Sequence, residues 1–129
     1  MTQEEKELLV RDLCARLPYG VKVLTYKLDY FHNPSSIETL YEINADGYIS
    51  TVESDTLRHI GKPYLFPLSS MTEKQKMFLR QQNWCIAIST SGTVETTIEG
   101  IDWLNKNHFD YRGLIEKGLA IEAPEGMYG

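Results

Sequence analysis

Cysteine is nearly missing from this chain of 129 residues: Cys14 and Cys85 are its only two. Each lies inside an apolar periodic segment, with no second Cys or His at ligand spacing. A disulfide framework and a cysteine-rich metal cluster are therefore excluded as organising principles, and both thiols are expected reduced and buried in the core. No stretch approaches the roughly 18 consecutive apolar residues of a membrane-spanning helix. The start, Met1-Thr2-Gln3-Glu4-Glu5-Lys6-Glu7, is acidic and polar, the reverse of a secretory signal. These absences predict a cytoplasmic protein without a membrane partner. Positive charge is in deficit as well, with 13 Lys and Arg against 18 Asp and Glu and a net charge of -5. That balance argues against a chain whose main task is to grip a phosphate backbone. Acids and bases are interleaved, which reads as a solvated surface.

The familiar catalytic patterns are missing too. There is no Gly-x-Ser-x-Gly elbow, and Gly92 lacks the second glycine and lysine of a phosphate-binding loop. His32, His59 and His108 each stand alone in their local segments, whereas a metal needs three or four converging ligands. The expectation is therefore no cofactor, no metal and no enzyme, unless a site assembles in space around His59 or His108.

What is present suits one domain spanning 1–129: hydrophobic residues make up 42% and charged residues 24%, ordinary globular values. Three threonines each precede an acid or amide by three positions, the pattern of a helix-starting capping box. They are Thr2-x-x-Glu5, Thr72-x-x-Gln75 and Thr96-x-x-Glu99. The first predicts a helix over 3–16 with Leu9, Leu13 and Leu17 inward and Val10 and Cys14 widening the stripe. The second predicts a lightly docked surface helix over 73–82, with Met71, Phe78 and Leu79 on its apolar side. The third predicts a better buried helix over 97–107 carrying Ile98, Ile101, Leu104 and His108 inward, with Trp103 to one side.

Between the first two helices the period changes to two. Residues 21–28 and 37–43 read as strands, and Asn44-Ala45-Asp46-Gly47 turns the second into a third over 48–52. The segment 61–68 holds Pro63 and Pro67, which argue against a central strand with a full ladder and for a crossing segment that buries Leu65 or Phe66. A further short strand is expected within 84–89, and a last short helix over 111–117 capped by Asp110 and stopped by Gly118. The fold class is α+β: a small antiparallel sheet of three to five strands, open or closed into a barrel, packed by an N-terminal helix and C-terminal helices.

Trp103, His108, Phe109, Tyr111 and Arg112 form the densest group of interaction-prone residue types and are the candidate surface. His108 reads either as an acid or base near neutrality or as a partly buried residue on the third helix. Tyr111 and Arg112 either present an aromatic and a planar donor fork to a partner or pack internally, Arg112 against Asp110 or Asp102. The tyrosines in and beside the sheet offer base stacking or plain packing, with Arg11, Arg16, Lys22 and Lys27 as the phosphate contacts of the first alternative.

Three stretches carry a resemblance: Lys6 through Val21, Lys62 through Thr72, and Trp103 through Pro124. They resemble small uncharacterised proteins encoded in phage-like and other mobile elements of gut anaerobes, over a little under half of the chain. The resemblance implies a bacterial, intracellular setting and carries over no functional residue. The expected function is a non-enzymatic accessory or binding protein acting through an unidentified protein partner, of unspecified oligomeric state. Weak nucleic-acid binding by an aromatic sheet face is the alternative.

Overall fold

The first helix, α1 (Gln3–Arg16), starts at the expected box: Thr2 Oγ1 accepts from Glu5 N and the Glu5 carboxylate accepts from Thr2 N. Its buried positions are Leu9, Asp12, Leu13 and Arg16, spaced three and four apart as one helical face requires. Cys14 falls one position off that face and is exposed, which overturns the expectation of a buried thiol. The stripe is widened by a carboxylate and a guanidinium, not by Val10 and Cys14.

In this computed structural model, residues 2–25, 36–44, 48–58, 61–84, 87–88 and 94–128 are described. Tyr26, Lys27, Tyr30, Phe31, His32, the 45–47 turn, His59, Cys85 and the 89–93 loop lie outside the described residues. After α1 come β1 (Lys22–Thr25), β2 (Ser36–Ile43), β3 (Ile49–Thr51), β4 (Ser54–Arg58) and β5 (Lys62–Pro67). α2 (Glu73–Gln81), a hairpin of β6 (Ala87–Ile88) and β7 (Val94–Glu95), α3 (Ile98–Lys106), β8 (Phe109–Asp110) and β9 (Ile121–Glu122) follow.

The α+β class holds. The sheet is nevertheless larger than expected, mixed, and open rather than barrel-like. Its order is β4-β3-β2-β1-β5-β8, antiparallel as far as β5, with β8 and β9 both added to β5 in parallel. The proline segment is thus an internal strand. Its antiparallel pairing with β1 stops after Val23↔Pro63 and Leu24↔Lys62, and chain entering from the C-terminal third takes up the rest of its backbone. The prolines shorten the ladder without excluding the strand.

One sheet face is covered. Leu9 and Leu13 of α1 pack with Val21, Val23, Leu40, Ile49 and Leu65 of the sheet and with Leu114, Leu119 and Ala120 of the C-terminal segment. On β2 the alternation sends Glu38 and Leu40 inward and leaves Ile37 and Tyr41 exposed. α2 has its capping box and buries only Leu79, as its thin apolar side predicted.

α3 departs from expectation at both ends. Its cap is Thr97, whose Oγ1 accepts from Gly100 N, not Thr96. Ile98 is 79% exposed, because at the first helical position it lies before the turn that faces the core. His108 lies beyond the helix with φ 61, so it does not continue the helical spacing. Residues 111–118 form turns rather than a helix. Asp110 still caps them, its carboxylate oxygens accepting from Leu114 N and Ile115 N at 2.9 Å each.

Candidate functional site

The five residues singled out by the sequence come together around α3 and β8, in three settings. The first is a network seated on α1. Asp12 and Arg16, four apart on one helix face, meet in a fully buried bidentate pair, with Arg16 Nε 2.8 Å from Asp12 Oδ2 and Nη2 3.2 Å from Oδ1. Arg16 Nη2 also donates to the Phe109 carbonyl at 2.7 Å, which fastens β8 to α1. Arg112 turns to the same carboxylate, Nε 3.2 Å from Asp12 Oδ1, and not to Asp110 or Asp102. Its Nη2 donates to the Tyr111 hydroxyl, which in turn donates to Asn105 Oδ1 at 3.0 Å. Both guanidinium carbons lie over the Tyr111 ring, 5.4 Å from its centroid for Arg16 and 5.0 Å for Arg112. Two of the five candidates are thereby committed to internal bonds.

The second setting is a stack of rings. Phe109, buried against the sheet, stacks on Trp103 at 5.6 Å between centroids and 13° between planes. Trp103 stacks on Phe78 of α2 at 6.4 Å, and Trp84 meets Phe78 edge-on at 5.9 Å. The outer end of the stack is open: Phe78 is 40% exposed and its neighbour Met77 56%. Trp103 and Trp84 are half-buried.

The third is a cleft between the start of α2, the end of α3 and the C-terminal tail. One cavity of about 350 Å³ is lined by Gln75, Lys106, His108 and Tyr128 over Phe66 and Phe109. A neighbouring one of about 440 Å³ shares Phe66, Gln75 and Phe109 and adds Glu122 and Glu125. The His108 ring is buried and stacks on Tyr128 at 3.7 Å and 18°. Its Nδ1 has no hydrogen-bond partner among the described residues. Burial, aided by the positive fields of Arg16 and Lys22, lowers its pKa to about 4, so the ring is neutral at neutral pH. Tyr128 bridges two strands: its hydroxyl accepts from Lys22 N at 2.9 Å and donates to the Tyr64 carbonyl at 2.7 Å. Burial pushes that hydroxyl up to about 12.

Sequence reasoning missed Asp12, Glu38 and Tyr128, and it read Arg16 as a phosphate contact rather than as the buried partner of Asp12. The i, i+4 spacing of Asp12 and Arg16, in phase with Leu9 and Leu13, was a readable signal. So was the alternation that puts Glu38 on the face of Leu40. There the buried Glu38 carboxylate accepts from the hydroxyls of Thr25 at 3.1 Å, Thr51 at 2.5 Å and Ser36, on three adjacent strands. Tyr128 had no periodic signal at all. Among the described residues no group of three or more His, Cys, Asp or Glu is placed to hold a metal, and no helix is long and apolar enough to cross a membrane. No protein-family model, curated protein or solved structure matches the chain.

Proposed function

We propose that this chain is a non-enzymatic binding protein that acts through contacts with a protein partner, using Met77, Phe78, Trp84 and Trp103 as the contact surface. The observation that carries the reading is the continuous ring stack from Phe109 in the core, through Trp103, to Phe78 at the surface. Protein interfaces are enriched in aromatic residues and Met, and their strongest contacts are large rings held in place before the partner arrives. A surface ring stacked on a half-buried one, itself stacked on the buried Phe109, meets that condition, since little rotamer freedom is left to lose. The bacterial mobile-element setting implied by the resemblance is part of this proposal.

The test is retention of a partner from a bacterial host lysate by the wild-type protein and by a Met77→Glu, Phe78→Ser double variant. Met77 is exposed, whereas Phe78 packs on Trp103 and Trp84, so the variant loses some stability and retention is compared at a temperature well below the thermal midpoints of both proteins. The expected result is a discrete partner retained by the wild type and lost by the variant. No retained partner, or equal retention by both, overturns the reading. Arg112→Ala is a poor probe of it, because Arg112 holds Asp12.

The nucleic-acid alternative draws on the exposed Tyr41 and Ile37. It loses Arg16 as a phosphate contact, since that side chain is fully buried, and Arg11 lies on α1, which covers the other sheet face. A binding titration at low and moderate salt decides it, because phosphate contacts make affinity salt-dependent.

A further inference from the structure

We propose that the contact surface on α2 takes an acidic amphipathic segment of a partner protein, with apolar side chains against Met77 and Phe78 and carboxylates against Lys74 and Arg80. The inference rests on the reading of Met77, Phe78, Trp84 and Trp103 as a contact surface and adds the chemistry of what meets it. The distribution of charge carries it. The chain as a whole is acidic, with a net charge of -5, yet α2 holds Lys74, Lys76 and Arg80 against one acid, Glu73. Lys76 pairs with Glu73 at 3.3 Å. Lys74 and Arg80 are exposed, and their side chains have no ion pair or hydrogen bond among the described residues. Helical spacing puts both cations beside the apolar pair: Lys74 lies three residues before Met77 and four before Phe78, and Arg80 lies three after Met77. The exposed side of α2 is thus an apolar pair bordered by two unpaired cations, on a protein of the opposite overall sign. Beyond about 8 Å the remaining acids are screened at physiological salt, so the local cations decide what docks here.

Ring geometry favours a protein segment over a bilayer or a nucleic-acid strand. Phe78 stacks on Trp103 and is met edge-on by Trp84, and both tryptophans are half-buried. Recessed, braced rings suit the reception of a side chain, whereas insertion into a bilayer needs rings that project and base stacking needs open ring faces. Met77, the most exposed of the group at 56%, has an unbranched thioether that moulds to side chains of varied shape. A segment that carries apolar anchors with Asp or Glu beside them satisfies both halves of the surface at once.

Trp84 and Trp103 are the only tryptophans of the chain, so intrinsic fluorescence reports directly on the surface. The probe is a Trp-free helical peptide of about 15 residues with Leu and Phe along one face and Glu along the other, and the control has Gln in place of every Glu. A saturable fluorescence change is expected with the acidic peptide. The Gln peptide should bind about tenfold more weakly, and raising salt from about 50 mM to about 0.5 M should weaken the acidic peptide by a similar factor. The Lys74→Ala, Arg80→Ala double variant loses the same factor for the acidic peptide and none for the Gln peptide. Arg11→Ala, Lys117→Ala, which removes two exposed cations elsewhere, alters neither. The proposal is overturned by the absence of a saturable change, by equal affinity for the two peptides, or by tighter binding of a phosphatidylserine-containing vesicle or a single-stranded oligonucleotide than of the acidic peptide. Self-association of the protein alone that the Lys74→Ala, Arg80→Ala variant loses also overturns it, because the occupant is then a second copy. A partner retained through Met77 and Phe78 but indifferent to salt and to the loss of Lys74 and Arg80 leaves the contact surface standing and removes only the acidic occupant. Undiminished binding of the acidic peptide by the Met77→Glu, Phe78→Ser variant removes both.

Discussion

His108 combines a left-handed backbone, a buried ring and a pKa of about 4, below the usual 6.5. The folded value lies below the unfolded one, so its share of stability is fully present above about pH 6.5 and is lost as pH falls toward 4. The ceiling on that loss is about 3 kcal/mol from the size of the shift, and solvent screening reduces it. His108→Phe keeps the stack on Tyr128 and removes the titration. Thermal midpoints at pH 7 and pH 4 should therefore fall further for wild type than for the variant, and equal falls would contradict the assignment. Asp12 and Arg16 make the second residue-scale case. Removing one partner strands a buried charge, so Asp12→Ala should cost about 3–5 kcal/mol in urea unfolding. The double variant Asp12→Leu, Arg16→Met replaces both charges with apolar volume and should cost less than either single change.

At the level of the element, α3 shows how a start signal can be read one residue out of place. Thr96-x-x-Glu99 fits the box pattern, yet Thr97 is the cap, and Thr96 packs on Gly100 with its Oγ1 buried and unpartnered among the described residues. A Cβ at Gly100 would lie 2.0 Å from Thr96 Oγ1, so this glycine is needed for the close approach rather than for a turn. Thr97→Ala should cost about 1 kcal/mol by loss of the cap. Thr96→Val keeps the shape and removes an unpaired hydroxyl, so its unfolding midpoint should stay level or rise. Were Thr96 the cap, the two variants would rank the other way. Strand β5 makes the related point: its prolines read correctly as an obstacle to pairing, but pairing is lost one edge position at a time, and the rest of the strand found partners.

Across the whole molecule, the first and last thirds of the chain are locked together. Arg16 reaches Phe109, Arg112 reaches Asp12, and Tyr128 joins Lys22 to Tyr64, contacts 93, 100, 106 and 64 residues apart along the chain. Tyr128→Phe leaves the Lys22 N–H and the Tyr64 carbonyl without their partner. It should lower the urea midpoint by an amount worth about 1–3 kcal/mol while keeping one transition of unchanged slope. A change in slope would mean that the tail unfolds separately. What the sequence determined by itself was the local order: the α+β class, the first two helices with their capping boxes, strands within the expected segments 21–28, 37–43 and 48–52, and Asp110 as a cap, though of turns and not of the helix expected there. Those features depend on neighbours three or four residues away or on strict alternation, and such patterns are written in one short segment. Tertiary structure alone decided that β8 and β9 complete β5, that Arg16 and Asp12 belong to the core, and that Tyr128 closes the cleft beside His108. Each of those depends on contacts between distant parts of the chain. No local period encodes them, because their stability comes from groups that become neighbours only after the chain has folded.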